Sequence, residues 1–273
     1  LSSAIKKYSD YFGVACGEKN ILFTNNDSAY ETAISLFQKG INIEAIIDNR
    51  EEVNSKLIYE VEKNNIKIFK GYTVTDTSGY KRINKISIMQ LSKDGQKVVG
   101  SKKSLSCDCL GVSGGWTPAI HLFTQSGGKL KFREEDQVFI PNIHPSDQLS
   151  IGACNGDFTL DEILINTPKS LINYLNIKNT EYDNLEVISS TNKSKRNIWL
   201  LPSDKILGKT KSFVDYQNDA TAKDIKLALR EGFRSIEHVK RYTTTGMGTD
   251  QGKLGNMHAL GIISETAGSK MGE

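Results

Sequence analysis

A chain of 273 residues can hold one large or two ordinary domains, and its 38 % hydrophobic and 25 % charged shares are those of a globular protein, not a disordered or fibrous one. The formal charge of +3 is spread over scattered lysines and arginines, so composition excludes any electrostatic case for nucleic-acid or membrane-surface binding. No apolar run approaches the roughly 20 residues of a membrane helix.

The opening Leu1–Lys7 lacks the apolar core and cleavage pattern of a secretory signal. With no initiator Met and a pattern still running at Gly272, the chain reads as an internal piece of a longer, cytoplasmic protein. Cys16, Cys107, Cys109 and Cys154 have neither zinc nor iron–sulfur spacing and are too few for a disulfide scaffold; reduced thiols, buried or half-buried in strands, are expected.

Ile21–Thr24 is a short apolar run that stops at the polar turn Asn25–Ser28. A helical pattern follows, with Ala29, Thr32, Ala33, Leu36 and Phe37 on one side and Gly40 as its end. Ile41–Ile47 reads as a second buried strand ending at Asp48, so the order is strand, turn, helix, strand: the opening of a dinucleotide-binding unit. A helix over Glu51–Asn64 and a strand around Ile66–Phe69 continue it. From Gly71 to Leu110 the hydrophobic period becomes two, with a hairpin turn at Lys93–Gln96. Ser104–Val112 reads as a core strand broken by Ser113-Gly114-Gly115-Trp116, and a short helix is expected near Pro118.

Leu149–Cys154 is expected to be a strand that ends in Asn155-Gly156-Asp157, and a helical pattern runs on from Phe158 to Leu175 with Pro168 as a kink or break. A polar stretch at 176–205 suggests a linker, interrupted by Leu185–Ile188 and closed by the apolar Ile198–Leu201. The remainder is expected to be mostly helical, with Thr221 and Asp224 as a capping pair. The expected domains are therefore 1–175, a linker at 176–205, and 206–273.

Asn25–Ser28 occupies the place where a dinucleotide fold puts Gly-x-Gly-x-x-Gly, whose glycines let the backbone approach a pyrophosphate. All the glycines are absent. Either Asp48 accepts a ribose hydroxyl bond, or the unit is a degenerate scaffold and Asp48 starts a turn. Gly114-Gly115 at a strand end, and Gly152, Asn155 and Gly156 before a helix, offer backbone amides to an anionic group; tight turns are the bland alternative. His121, His144, His238 and His258 show no metal-ligand spacing and are read as structural, so no metal site is expected. No catalytic constellation is legible from order alone.

The segment Asp215–Gly255 is similar to the small helical domain that holds a two-iron cluster in bacterioferritin-associated ferredoxin and related amine dehydrogenases. That pattern is Cys-x-Cys, a helix, then Gly-Met-Gly-x-Cys-Gln-Gly and one more Cys. Here Asp215, Gln217, Asp250 and about Gly255 stand at the cysteine positions. Thiolates bind such clusters, so the resemblance implies a retained fold without an iron–sulfur cluster.

Val112–Lys129, Phe213–Asp224 and above all Glu231–Lys253 resemble, in this order, the alpha subunits of heterotetrameric sarcosine oxidases. The resemblance implies an α/β fold: part of a glutathione-reductase-like dinucleotide-binding domain with an antiparallel β insert, then the small mostly helical domain. It implies an enzyme complex with beta, gamma and delta subunits that oxidises sarcosine to glycine, releasing formaldehyde or methylenetetrahydrofolate and hydrogen peroxide. FAD in the beta subunit, FMN at the alpha–beta interface and NAD in alpha are the implied cofactors. The NAD-gripping glycine motif is expected before Leu1, and the tetrahydrofolate domain beyond Glu273. By position in the motifs, Gly114, Gly115, Gly152, Asn155 and Gly156 are assigned to NAD. Thr244, Thr245, Gly246, Met247 and Lys253 are assigned to the FMN interface, where a lysine offsets flavin negative charge. A solvated Lys253 and a helix-capping threonine run are the bland alternative. Two other functions compete: an alpha subunit of a secondary-amine or imino-acid dehydrogenase, against which the missing cysteines argue, and a non-catalytic nucleotide-binding scaffold.

Overall fold

Apolar runs that are buried from both faces favour parallel pairing, and that is how this chain begins. In the computed structural model, which describes residues 1–53, 56–145, 147–177, 197–207 and 209–272, the chain forms two compact units. One is Leu1–Ser113 with Arg196–Glu273, and the other is Gly114–Lys195.

The first unit opens with α1 (Ser2–Phe12), β1 (Asn20–Thr24), α2 (Ser28–Gln38), β2 (Ile43–Asp48), α3 (Leu57–Lys63) and β3 (Lys67–Lys70). Three antiparallel strands follow, β4 (Tyr72–Gly79), β5 (Ile83–Leu91) and β6 (Val98–Ser106), and the chain then returns as β7 (Cys109–Ser113). The parallel sheet has the order β3-β2-β1-β7.

Side chains alternate across this sheet. Leu22 and Ile46 join Ala29, Tyr30, Ala33 and Leu36 of α2 on one face. Ile21, Phe23, Ala45 and Ile47 meet Ile86 and Ile88 of β5 on the other. The helix on one side and the antiparallel insert on the other thus explain why β1 carries no exposed position.

Several expected elements shift. The helix expected at Glu51–Asn64 begins only at Leu57, and Phe37 is exposed while Tyr30 takes the buried position on α2. Ser104–Val112 is not one strand: β6 ends at Ser106, and β7 starts at Cys109 after a corner. There Asp108 accepts the backbone N–H groups of Glu18 at 2.9 Å and Lys19 at 2.8 Å. Those bonds hold its carboxyl below the ordinary range, although burial acts the other way. Of the four free thiols only Cys109 lies inside a strand; burial pushes Cys107, at the corner, up to about 11.

The second unit comprises α4 (His121–Gln125), the hairpin β8 (Lys129–Arg133) and β9 (Val138–Ile143), a 3-10 turn at Gly152–Asn155, and α5 (Leu160–Leu175). The strand expected at Leu149–Cys154 is not formed: its last three residues lie in the 3-10 turn, which Gly156 closes in the left-handed region at φ 88°. Periodicity could not separate a short apolar run in a turn from one in a strand. Pro118 lies outside α4, whereas Pro168 lies within α5.

Of the expected linker, 178–196, with Leu185–Ile188, lies outside the described residues. The described part, 197–205, is packed within the first unit. Trp199 and Leu200 lie against the helical core, and Leu201 against the sheet core. Ser203 Oγ donates to the Thr75 carbonyl at 3.4 Å, and Lys205 pairs with Asp76. The chain ends in the hairpin β10 (Phe213–Asp215) and β11 (Ala220–Thr221), followed by α6 (Ala222–Arg230), α7 (Ile236–Thr243) and α8 (Asn256–Ala267). Val214, Ala222, Ile225, Ala228, Val239, Ala259, Ile262 and Ile263 form its core. The expected capping pair is present: the Asp224 carboxylate accepts from the Thr221 N–H at 2.8 Å and from its hydroxyl at 2.6 Å.

Candidate functional site

In an open α/β sheet the ligand-facing edge is the one at the carboxyl ends of the strands. Here Thr24, Asp48 and Ser113 form one row at that edge. The turn after β1, where glycines would admit a pyrophosphate, is filled by side chains. Asn26 Oδ1 accepts from the Ser28 hydroxyl at 2.6 Å and its N–H at 3.1 Å, and Asn26 Nδ2 donates to the Ser113 carbonyl at 3.2 Å. Asn25 Nδ2 donates to Asn197 Oδ1 at 3.1 Å.

Asp48 is fully buried, and its oxygens are already in use. Arg50 Nε donates to Oδ1 at 3.0 Å, Arg50 Nη2 to Oδ2 at 2.7 Å, and the Tyr30 hydroxyl to Oδ2 at 3.0 Å. Arg50 Nη2 also lies 2.8 Å from Asp27 Oδ1. Burial works against the Arg50 charge, but the two carboxylates outweigh it and push its pKa up. Tyr30 is driven well above its ordinary value, first by burial and then by the Asp48 charge. The Asp48 oxygens, which one of the two readings gives to a ribose and the other to a scaffold turn, hold an arginine and a tyrosine.

Five of the sequence-predicted residues belong to the second unit. Gly114 has open space around it, and Gly115 takes φ 106°, so the backbone here leaves room for close approach. At the other glycine cluster the amides are more committed. Gly156 N–H donates to the Ala153 carbonyl at 3.1 Å, and Asp157 N–H to that of Gly152 at 3.2 Å. A Cβ on Gly156 would lie 2.8 Å from Arg133 Nη2, which donates to the Gly156 carbonyl at 2.7 Å. At the start of α5 the Glu162 carboxylate accepts from the Phe158 and Thr159 N–H groups at 3.1 and 3.2 Å. Asn155 ends the 3-10 turn.

The other five, Thr244, Thr245, Gly246, Met247 and Lys253, lie in the first unit between α7 and α8. Thr244 ends α7 in the left-handed region at φ 58°. Thr245 is buried, its hydroxyl 2.8 Å from that of Thr243, while Thr244, Met247 and Lys253 are exposed. The loop is tied to the turn after β10. Asp215, only 5 % exposed, accepts at Oδ2 from the Gly246 N–H at 2.7 Å, and at Oδ1 from the N–H groups of Gln217 at 2.8 Å and Asn218 at 3.2 Å. Burial would raise its pKa, but these donors outweigh burial and hold it below the ordinary carboxylate range. Gln217 Oε1 accepts from the Thr249 N–H at 2.6 Å and its hydroxyl at 2.9 Å. Asp250 accepts from the Gly252 N–H at 3.1 Å.

Asp215, Gln217 and Asp250 thus carry oxygen acceptors committed to backbone amides, and with no thiol among them they do not fit an iron–sulfur cluster. Among the described residues no group of three or more His, Cys, Asp or Glu could hold a metal ion, and no helix is long and apolar enough to cross a membrane. Sequence reasoning missed Asp215 and Gln217 as tethers. The available signal was Asp-x-Gln-Asn after a strand, a turn in which Asp caps the amide two residues on.

Residues 209–273 match the family model described as the sarcosine oxidase A3 domain. The chain is 30 % identical over 278 residues to the sarcosine oxidase subunit alpha of Rhizobium meliloti (strain 1021), covering 98 % of this chain and 26 % of that protein. To the subunit alpha of Corynebacterium sp. (strain P-1) it is 28 % identical over 277 residues, covering 98 % of this chain and 28 % of that one. Among solved structures, L-proline dehydrogenase from P. horikoshii aligns with a TM-score of 0.54 at 16 % identity, covering 97 % of this chain and 48 % of that one, which shows a shared fold. Along nearly all of its own length the chain is similar to sarcosine oxidase alpha subunits, and it spans about a quarter of theirs.

Proposed function

We propose that this chain is the part of a sarcosine oxidase alpha subunit that closes the nucleotide domain and carries the A3 domain. The complex would oxidise sarcosine to glycine, with formaldehyde or methylenetetrahydrofolate and hydrogen peroxide as the other products. Similarity to alpha subunits over 98 % of the chain is the observation that carries this reading. The domain boundaries we propose in sequence are 1–175 and 206–273 with a connecting stretch at 176–205, of which 199–201 packs into the first compact unit, and 206–273 would have the cluster-free ferredoxin-like fold.

In this reading NAD lies against Gly114, Gly115, Gly152, Asn155 and Gly156. The open backbone at Gly114 supports it there. At Gly152–Gly156 the amides of residues 156 to 159 have internal acceptors, so contact would fall on the turn itself. FMN and the beta subunit meet Thr244, Gly246, Met247 and Lys253, with Thr245 holding the loop from inside. Exposed Met247, Leu254 and Tyr216, 51 %, 52 % and 71 % accessible, are apolar surface that a partner subunit would cover. The flavin, when bound, supplies the electron-accepting chemistry; this chain's residues bind and orient it, and Lys253 offsets its negative charge.

The beta, gamma and delta subunits are the partners, FAD belongs to beta and tetrahydrofolate to a further domain, and the setting is the cytoplasm. A scaffold role for the β1–α2 unit, as distinct from nucleotide binding, is favoured by one observation: the Asp48 oxygens hold Arg50 and Tyr30, and the Asn26 carboxamide holds Ser28 and Ser113.

The test uses the full-length subunit co-expressed with its neighbouring genes. Sarcosine-dependent oxygen uptake and peroxide, with flavin in the visible spectrum, is the expected result. No uptake, but flavin bleaching by another secondary amine, would overturn the oxidase reading in favour of a dehydrogenase.

A further inference from the structure

A buried carboxylate usually has a cationic partner, because taking its charge out of water is otherwise costly. Asp215 has backbone and carboxamide N–H donors instead, from Gly246, Gln217 and Asn218. One of these lies 31 residues away, so the carboxylate joins the turn after β10 to the loop that leaves α7. Gln217 makes a second tie to the same loop at Thr249. Asn218 makes a third, its Nδ2 donating to the Thr244 carbonyl at 3.1 Å.

The loop is built to accept these ties. Gly246 takes φ 73°, where a side chain is strained, and a Cβ there would also collide with Asn256. A Cβ on Gly248 would collide with the Gln217 carboxamide, so the approach of Gln217 requires a glycine opposite it. Between the tied amides of Gly246 and Thr249, Met247 stands exposed, and Thr244 stands exposed just before them. The Asp215–Gly246 bond is buried, whereas Gln217, Asn218 and Thr249 make their ties at the exposed edge of the loop.

We propose that Asp215 and Gln217 are positioning residues that set, through the Gly246 and Thr249 amides, how Thr244 and Met247 are presented to the flavin. The inference rests on the reading of this loop as a flavin interface, and the test separates the two. The ties themselves are independent of any cofactor. Asp215 is buried beneath the loop, so it acts on whatever lies outside only through loop geometry, and Gln217 holds the same loop from its exposed edge.

The experiment uses the assembled, flavin-loaded complex with Asp215→Asn, Gln217→Met and Gln217→Glu. Asp215→Asn turns one acceptor oxygen into an N–H donor facing another N–H, and Gln217→Met removes the acceptor at similar volume. Gln217→Glu keeps an oxygen and serves as the conservative rescue. Hydrogen exchange of the 244–249 peptide is measured beside the visible flavin spectrum and the flavin midpoint potential. We expect exchange there to rise about tenfold or more in Asp215→Asn and Gln217→Met, with a shifted flavin band and potential, and both to return towards wild type in Gln217→Glu. Unchanged exchange overturns the positioning role. Faster exchange with an unaltered flavin spectrum and potential overturns the flavin interface and leaves the ties standing. If Asp215→Asn does not assemble, the two Gln217 variants decide the question.

Discussion

Two carboxylates in the first unit are almost removed from water, and the chain stabilises them differently. Asp48, at the carboxyl edge of the parallel sheet, is held by the Arg50 guanidinium and the Tyr30 hydroxyl. Asp215, at the edge of the helical core, is held by the backbone N–H groups of Gln217, Asn218 and Gly246 and by the Asn218 carboxamide. An ion pair fixes side chains to each other, whereas a carboxylate that collects backbone amides fixes the path of the chain. The first arrangement closes the turn where a nucleotide would sit, and the second shapes a loop whose outer surface is left exposed.

The largest expected effect breaks the first arrangement. Arg50→Met would leave Asp48 buried without its cation and should cost about 3–5 kcal/mol, read as a lowered denaturation midpoint of the full-length subunit. If the midpoint is unchanged, the cluster is not the closed ion-paired core described. Filling Gly261, whose Cβ would collide with the Trp199 ring, comes next. Gly261→Ala should cost about 1–3 kcal/mol by overpacking, checked by the same measurement with Trp fluorescence as a local probe.

Asp215 sharpens the comparison through pH. Its folded pKa is depressed, so its contribution is present above the unfolded value near ~3.9 and is lost as pH falls through the folded value. Protection of the 244–249 amides should therefore persist at neutral pH and fall in acid, whereas Asp215→Asn should flatten that dependence. A wild-type profile without an acid limb would count against the backbone-capped carboxylate. The smallest effect belongs to the exposed pair Lys205–Asp76, whose side chains are 40 % and 28 % accessible. Lys205→Ala should change stability by less than about 1 kcal/mol, and the difference should shrink as salt is added. A larger loss would mean that this pair anchors the 197–205 segment more than its packed Trp199 and Leu201 do.

Much of the architecture is legible in the residues. Continuous apolar runs at 21–24 and 43–47 can only be satisfied by burial on both faces, and Thr221 with Asp224 announces a helix start through local bonds alone. The similarity of Glu231–Lys253 to the alpha subunits is likewise a property of the string itself. Local pattern failed where neighbours distant in sequence decide. Leu149–Cys154 has the hydrophobicity of a strand, yet its last three residues lie in a 3-10 turn. The corner at Cys107-Asp108 exists because Asp108 collects the amides of Glu18 and Lys19, some 90 residues earlier.

The same division holds at the candidate site. That Asn25–Ser28 lacks the glycines of a phosphate loop, and that Asp215, Gln217 and Asp250 are not thiols, follows from residue identity. What those residues do instead follows only from the folded chain. Composition and period determined which segments are buried, because burial depends on each side chain's own transfer from water. Tertiary structure alone decided that Asp48 holds Arg50 and that Asp215 holds Gly246, because a hydrogen bond needs two partners within about 3 Å and sequence separation does not encode that distance.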